Sequence, residues 1–238
     1  MPLNAKKSIP LYVQLMDAIR SDIKQGNLNQ GDQIPSESEL SSQYGVSRVT
    51  VRNSIAQLVE EGLLIKIQGK GTFVAEAKVE RRLKGVKGFT EQAKSLGYEP
   101  GAKVVSIEVG SASELDRSFF KLEEGSRIIS IKRIRYHDNE PVMLETVHFP
   151  LKYSFLVEED LEGSLYSILA EKYNIIPNFG EKSFEICYAN TEESKLLDIQ
   201  KGMAVLLSID YIYDVEKNPL HITRQVIVAG KYKYIINL

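Results

Sequence analysis

The chain has 238 residues, 43% hydrophobic and 26% charged, which excludes a wholly disordered or fibrous protein and fits one or two domains. It has no apolar run near the roughly 18–20 residues of a membrane helix, and its one cysteine, Cys187, excludes an internal disulfide framework and a cysteine-built zinc site. The net charge of −2 is uneven: Met1–Gly88 holds 13 basic and 9 acidic residues, the remainder 17 and 23, so a mildly basic front precedes an acidic rear. The N-terminus leads into an amphipathic segment, not the apolar core of a signal peptide. The expectation is a cytoplasmic protein with no structural metal and no cofactor.

Pro10 opens the first predicted helix, with Leu11, Leu15, Ile19 and Ile23 as one apolar stripe that ends at Gly26. Ser36 and Glu39 form a capping box for a second helix, whose Leu40 and Tyr44 face inward. Ser47 caps a third, with Val51, Ile55, Leu58 and Val59 buried, and Gly62 stops it. Leu64–Ile67 and Thr72–Val74 flank the turn Gln68-Gly69-Lys70-Gly71, which predicts a hairpin. Three helices and this hairpin make a helix-turn-helix with a wing.

On the third helix Arg48 and Arg52 are four apart and share one face, with Val49 and Asn53 beside them. Two arginines alone fit a solvated face equally well. The capped three-helix frame and the wing around them point to DNA: a recognition helix enters the major groove by its N-terminal end, where arginine holds guanine O6 and N7. Ser47 and Thr50 are suitable phosphate donors, and Lys70 stands between Gly69 and Gly71 at the wing tip, shaped for the minor groove.

Ala75–Gly85 is dense in charge and reads as a linker, so the expected division is 1–75, a linker 76–87, and 88–238. Gly88-Phe89-Thr90 opens a helix behind it. Ala102–Glu108 is strand-like, and Ser113–Leu122 suits a short helix. Arg127–Tyr136 alternates, turns at Asp138-Asn139 and returns as Pro141–Phe149. Ser164 begins a helix ending near Tyr173-Asn174. Lys182–Tyr188 is a strand, Thr191 caps a helix with Leu196 and Leu197, and Ala204–Tyr213 and Leu220–Val228 form another hairpin across Glu216-Lys217-Asn218. The rear is an antiparallel sheet with a few helices packed on it, an α+β domain. Arg133 and Arg135 point the same way on their strand, as an anion clamp or as an exposed face of ordinary ion pairs.

The run Gly31–Leu40, then Tyr44–Arg52, Leu58–Gly62 and Gly69–Val74, resembles the DNA-binding domain of the GntR superfamily of bacterial transcription regulators. The resemblance covers residues 9–75. With the helix and wing, it puts Ser36, Glu37, Ser47, Arg48, Thr50, Arg52, Gly69 and Lys70 at double-stranded operator DNA. Many members have arginine after Pro-Ser-Glu, where it contacts DNA; this chain has Ser38. From Gly88 to Leu238 the chain resembles UTRA, the effector-binding domain of the HutC-type branch, similar in fold to chorismate lyase. Positions matching Phe89, Thr90, Arg133, Arg135, Ser164 and Tyr166 surround a phosphate in relatives that sense sugar phosphates, and one matching Glu145 contacts sugar hydroxyls. Amino-sugar-phosphate sensors of this type carry Glu where His221 stands and Tyr where Ile227 stands, so the phosphate end is retained and the sugar end altered. The three histidines have no metal-like spacing.

The resemblance implies a homodimer on a roughly palindromic site, its contact in the rear sheet, and a repressor released by a small anionic metabolite, a phosphorylated sugar or derivative. The metabolite would order the segment joining the domains and change the spacing of the two winged helices. A carboxylate ligand is the alternative. An enzyme of the lyase type is the competing class, but no nucleophile–histidine–acid set, phosphate loop or metal motif supports it.

Overall fold

The computed structural model describes residues 9–67, 69–75, 78–83 and 85–236. Two compact units divide the chain, Met1–Ala77 and Lys78–Leu238. No helix among the described residues is long and apolar enough to cross a membrane.

The first unit contains α1 (Leu11–Lys24), α2 (Glu37–Tyr44), α3 (Arg48–Glu60) and the antiparallel hairpin of β1 (Leu64–Ile67) and β2 (Gly71–Val74). The expected caps are present. Ser36 accepts from Glu39 N while the Glu39 carboxylate accepts from Ser36 N at 2.8 Å, and Ser47 accepts from Thr50 N at 3.1 Å. Gly45, at φ 67°, takes the left-handed turn that brings α2 into α3. Leu15, Ile19, Leu40, Val51, Leu58 and Leu64 make one core, so the face of α3 opposite Val51 and Leu58 is left to solvent.

The second unit is built on a six-stranded antiparallel sheet in the order β4 (Pro100–Ser111), β5 (Arg127–His137), β6 (Glu140–Pro150), β9 (Pro219–Val228), β8 (Ala204–Asp214), β7 (Pro177–Tyr188). Its helices are α4 (Phe89–Ser95), α5 (Glu114–Phe120), α6 (Leu165–Tyr173) and α7 (Thr191–Leu196), with a 3₁₀ segment at Leu151–Glu158 that sequence pattern did not indicate. One face of the sheet packs Ile129, Ile131, Val147 and Phe149 with Leu165 and Leu169 of α6. The other packs Leu144, Val205, Val226 and Val228 with Leu197.

Three readings need correction. The stretch expected as linker contains a strand, β3 (Val79–Arg82), paired in parallel with β10 (Tyr232–Ile235). Arg81 is buried there, so the second unit begins before residue 88. The N-cap of α7 is Asn190, not Thr191: its side chain accepts from Glu192 N at 2.8 Å and Glu193 N at 2.9 Å, and Glu193 reaches back to Asn190 N. Pro10 is the N-cap of α1, one residue before its first turn. Asn190→Ala should lower stability by about 1 kcal/mol and Thr191→Ala by much less; denaturant unfolding of the two variants measures the difference.

Register decides what faces what. The β5–β6 turn, Asp138 at φ 49° and Asn139 at φ 70°, is a two-residue turn that pairs His137 with Glu140. A bulge at Val142 then shifts the pairing by one, so that Arg135 lies opposite Met143 and Arg133 opposite Glu145. A similar shift at Leu220 sets Ile212 opposite His221.

Candidate functional site

On the first unit, Arg48, Val49 and Arg52 project from the first two turns of α3 into solvent, and Val49 is 65% exposed. Ser47 Oγ lies 2.9 Å from Thr50 Oγ1 beside the same helix start. Arg52 is held from below: its Nε and Nη2 donate to Glu37 at 3.2 and 3.0 Å, and Lys66 Nζ lies 3.5 Å from the same carboxylate. The hydrogen bond from Arg52, then the charges of Arg52 and Lys66, keep Glu37 below the usual carboxylate range against the opposing effect of burial. Glu37 thus orients Arg52. Ser36 is committed to its capping box, and Ser38 Oγ lies 3.2 Å from Ser36 Oγ.

At the wing tip Gly69 has φ 76° and Gly71 φ 129°, backbone that an L side chain rarely adopts. Gln33 donates to Lys70 O at 2.9 Å, and a Cβ on Gly71 would meet its amide. Gln33 therefore fixes the tip that presents Lys70. Sequence reasoning missed it, because the two segments meet only in the folded unit, where Gln33 bridges to Phe73.

On the second unit all eight expected ligand residues line one pocket, together with Lys87, Gly88, Asp210, Thr223 and Gln225. Arg133, Arg135, Glu145 and His221 are buried in it. Arg133 donates to Leu161 O at 2.9 Å and to Glu145 at 2.5 Å. The alternative of an exposed face of ordinary ion pairs is therefore corrected: both arginines are buried, and Glu145 offsets Arg133. Burial opposes the Glu145 charge, but Arg133 and then Arg135 hold its pKa below the ordinary glutamate value.

Arg135 is different. It is 2% exposed, donates to Thr90 Oγ1 at 3.0 Å and lies 4.4 Å above the Phe89 ring. No carboxylate among the described residues is within ion-pair distance. Burial pushes its pKa down to about 10, which leaves it charged at neutral pH. Its Nε and Nη1, and Arg133 Nε, have no hydrogen-bond partner. Buried N–H groups left unmatched cost on the order of 1–3 kcal/mol each.

His221 adds no charge to the pocket. His221 Nε2 lies 3.0 Å from Tyr166 Oη, and Nδ1 lies 3.0 Å from Thr223 Oγ1. Burial drives the His221 pKa down to about 3, so the ring is uncharged at neutral pH. Ser164 caps α6 by accepting from Ser167 N at 3.2 Å, which leaves its hydroxyl hydrogen free to turn into the pocket. Ile227 lies outside this pocket, in an apolar cluster with Phe89, Ala93 and Met143. Among the described residues no His, Cys, Asp and Glu group is arranged to hold a metal.

The arrangement can take an oxyanion but holds no activated nucleophile. The model described as bacterial regulatory proteins, gntR family, matches residues 11–74, and the UTRA domain model matches residues 95–233. The chain is similar to the HTH-type transcriptional regulator YurK of Bacillus subtilis, at 35% identity over 237 residues, covering 99% of this chain and 98% of that protein. It is 37% identical over 209 residues to the HTH-type transcriptional repressor NagR of the same organism, covering 87% and 86%. In fold it is similar to PhnF from Mycobacterium smegmatis, with a TM-score of 0.66 at 23% identity over 94% of this chain and 98% of that one. With a winged helix of one family and a sensor domain of the other in a single chain, the protein is a transcriptional regulator and not an enzyme, and it belongs to the GntR family in its UTRA-containing, HutC-type branch.

Proposed function

We propose that this regulator is a homodimeric repressor that leaves its operator when a phosphorylated sugar or sugar derivative binds between Arg133 and Arg135. One observation carries the reading: Arg133 and Arg135, which hold three buried N–H groups without partners, line one pocket with Thr90, Ser164 and Tyr166. A phosphate has oxygens enough to meet them all, and charge-assisted hydrogen bonds of this kind are the strong ones. A carboxylate, with two oxygens, would leave some unmet. The similarity to a repressor supports the direction of the response. DNA contact is assigned to Arg48, Arg52, Val49, Ser47, Thr50 and the wing tip at Gly69 and Lys70, with Glu37 and Ser36 as supports of that surface. The effector acts by binding the DNA-incompetent arrangement more tightly than the competent one.

The test begins with an operator selected from random duplex DNA by the full chain. Sugar phosphates, their unphosphorylated counterparts and sugar acids are then titrated against the complex. The phosphorylated members should release the DNA and the unphosphorylated ones should not. Release by a sugar acid alone would replace the phosphate reading with the carboxylate one.

A further inference from the structure

A larger cavity of about 290 Å³ adjoins the anion pocket and shares Lys87, Phe89, Tyr166, Asp210 and Gln225 with it. Arg81 lines it from β3, and Glu181 and Lys182 from β7. Lys182 is committed to Asp210, its register partner on β8, and to Ser208 Oγ at 3.2 Å. That pair is neutral as a unit.

Arg81 is not neutralised. It is 7% exposed, and no carboxylate among the described residues is within ion-pair distance. The groups it touches are neutral: the rings of Tyr232 and Tyr234 at 4.8 and 5.5 Å, the Tyr234 hydroxyl at 3.3 Å and the side-chain oxygen of Gln92. Its Nε has no partner at all. Removing a cation from water without a counter-ion is costly, and rings and amides recover only part of that cost. The position also matters. Gln92 belongs to α4, the helix whose Phe89 and Thr90 hold Arg135, so one short helix touches both unneutralised guanidiniums.

We infer that the larger cavity is a second anion subsite, in which Arg81 holds an acidic group at the far end of the effector. The effector is then a molecule with two anionic ends, a phosphorylated sugar acid, and not a sugar phosphate with a neutral tail. This rests on the reading of the Arg133–Arg135 pocket as the phosphate site. A ligand that reaches Arg81 also grips β3, the first strand after the DNA-binding unit in the chain, and so joins recognition of the second group to the response.

The experiment is calorimetric titration of the full chain with inorganic phosphate, glucitol 6-phosphate and 6-phosphogluconate. The last two differ only in a primary alcohol or a carboxylate at carbon 1. The parent should bind 6-phosphogluconate at least about tenfold more tightly than glucitol 6-phosphate, the worth of one hydrogen-bonded charge. Arg81→Gln should erase that preference and leave the other two affinities within about twofold, while Arg81→Lys, which keeps the charge and controls for folding, should retain part of it. Equal affinities in the parent, or a preference that survives in Arg81→Gln, overturn the second subsite alone. If the parent binds none of the three at millimolar concentration, the phosphate reading falls and the second subsite falls with it.

Discussion

Replacing Arg135 with methionine is expected to leave the apo protein at least as stable as the parent, keep operator binding, and abolish release by the metabolite. Arg135 is buried with no counter-ion and two N–H groups unmatched. An apolar side chain of similar length removes that cost, and such exchanges of buried ions are commonly neutral or stabilising. The affinity lost should be at least about tenfold, since the residue offers several donors to one oxyanion. Arg133→Met should behave differently. It strands the buried Glu145 carboxylate, so it should also lower stability, by about 3–5 kcal/mol. Thermal unfolding with and without metabolite, beside an operator-release titration, separates the two. If Arg135→Met still releases DNA at the parent's metabolite concentration, the anion site lies elsewhere.

How much of this was legible in the sequence depends on where the information sits. The winged helix was readable because its signals are local: Ser36 with Glu39, Ser47 with Thr50, and glycines where φ is positive. The shared face of Arg133 and Arg135 followed from the period of a strand. The Arg133–Glu145 pair did not. A two-residue turn at Asp138-Asn139, extended in simple register, pairs Arg133 with Leu144 and sends Glu145 to the opposite face. The bulge at Val142 reverses that, because a slip of one residue exchanges the faces of a strand. Nor was β3 legible: Val79-Glu80-Arg81-Arg82 is too polar to announce a strand, and its partner is far along the chain. Asn190 was missed in favour of Thr191 because both are good caps and are adjacent.

Arg48→Ala and Arg52→Ala should each weaken binding to the selected operator by about tenfold to a hundredfold, and change little on non-specific DNA, if they read base edges. Arg52 should be the more discriminating, because Glu37 fixes its guanidinium before DNA arrives. Lys70→Ala should weaken binding to all sequences alike and reduce the salt dependence by about one phosphate contact. Footprinting of the parent should show two half-sites related by a dyad, as a dimer of single winged helices requires. Parent-like affinity in both arginine variants would remove α3 from the major groove.

The parallel pairing of β3 with β10 has a consequence for synthesis. Glu80 and Lys233, joined across that pair at 2.9 Å, are 153 positions apart. At roughly 5–20 residues per second, β10 leaves the ribosome on the order of ten to thirty seconds after β3. The winged helix precedes both and depends on neither, so it folds first. For that interval the nascent chain has its DNA-reading surface, while Arg81 lacks Tyr232 and Tyr234 and β3 lacks its neighbour. Translation arrested before Tyr232 should leave a product that keeps the winged helix but lacks β10, the pairing partner of β3.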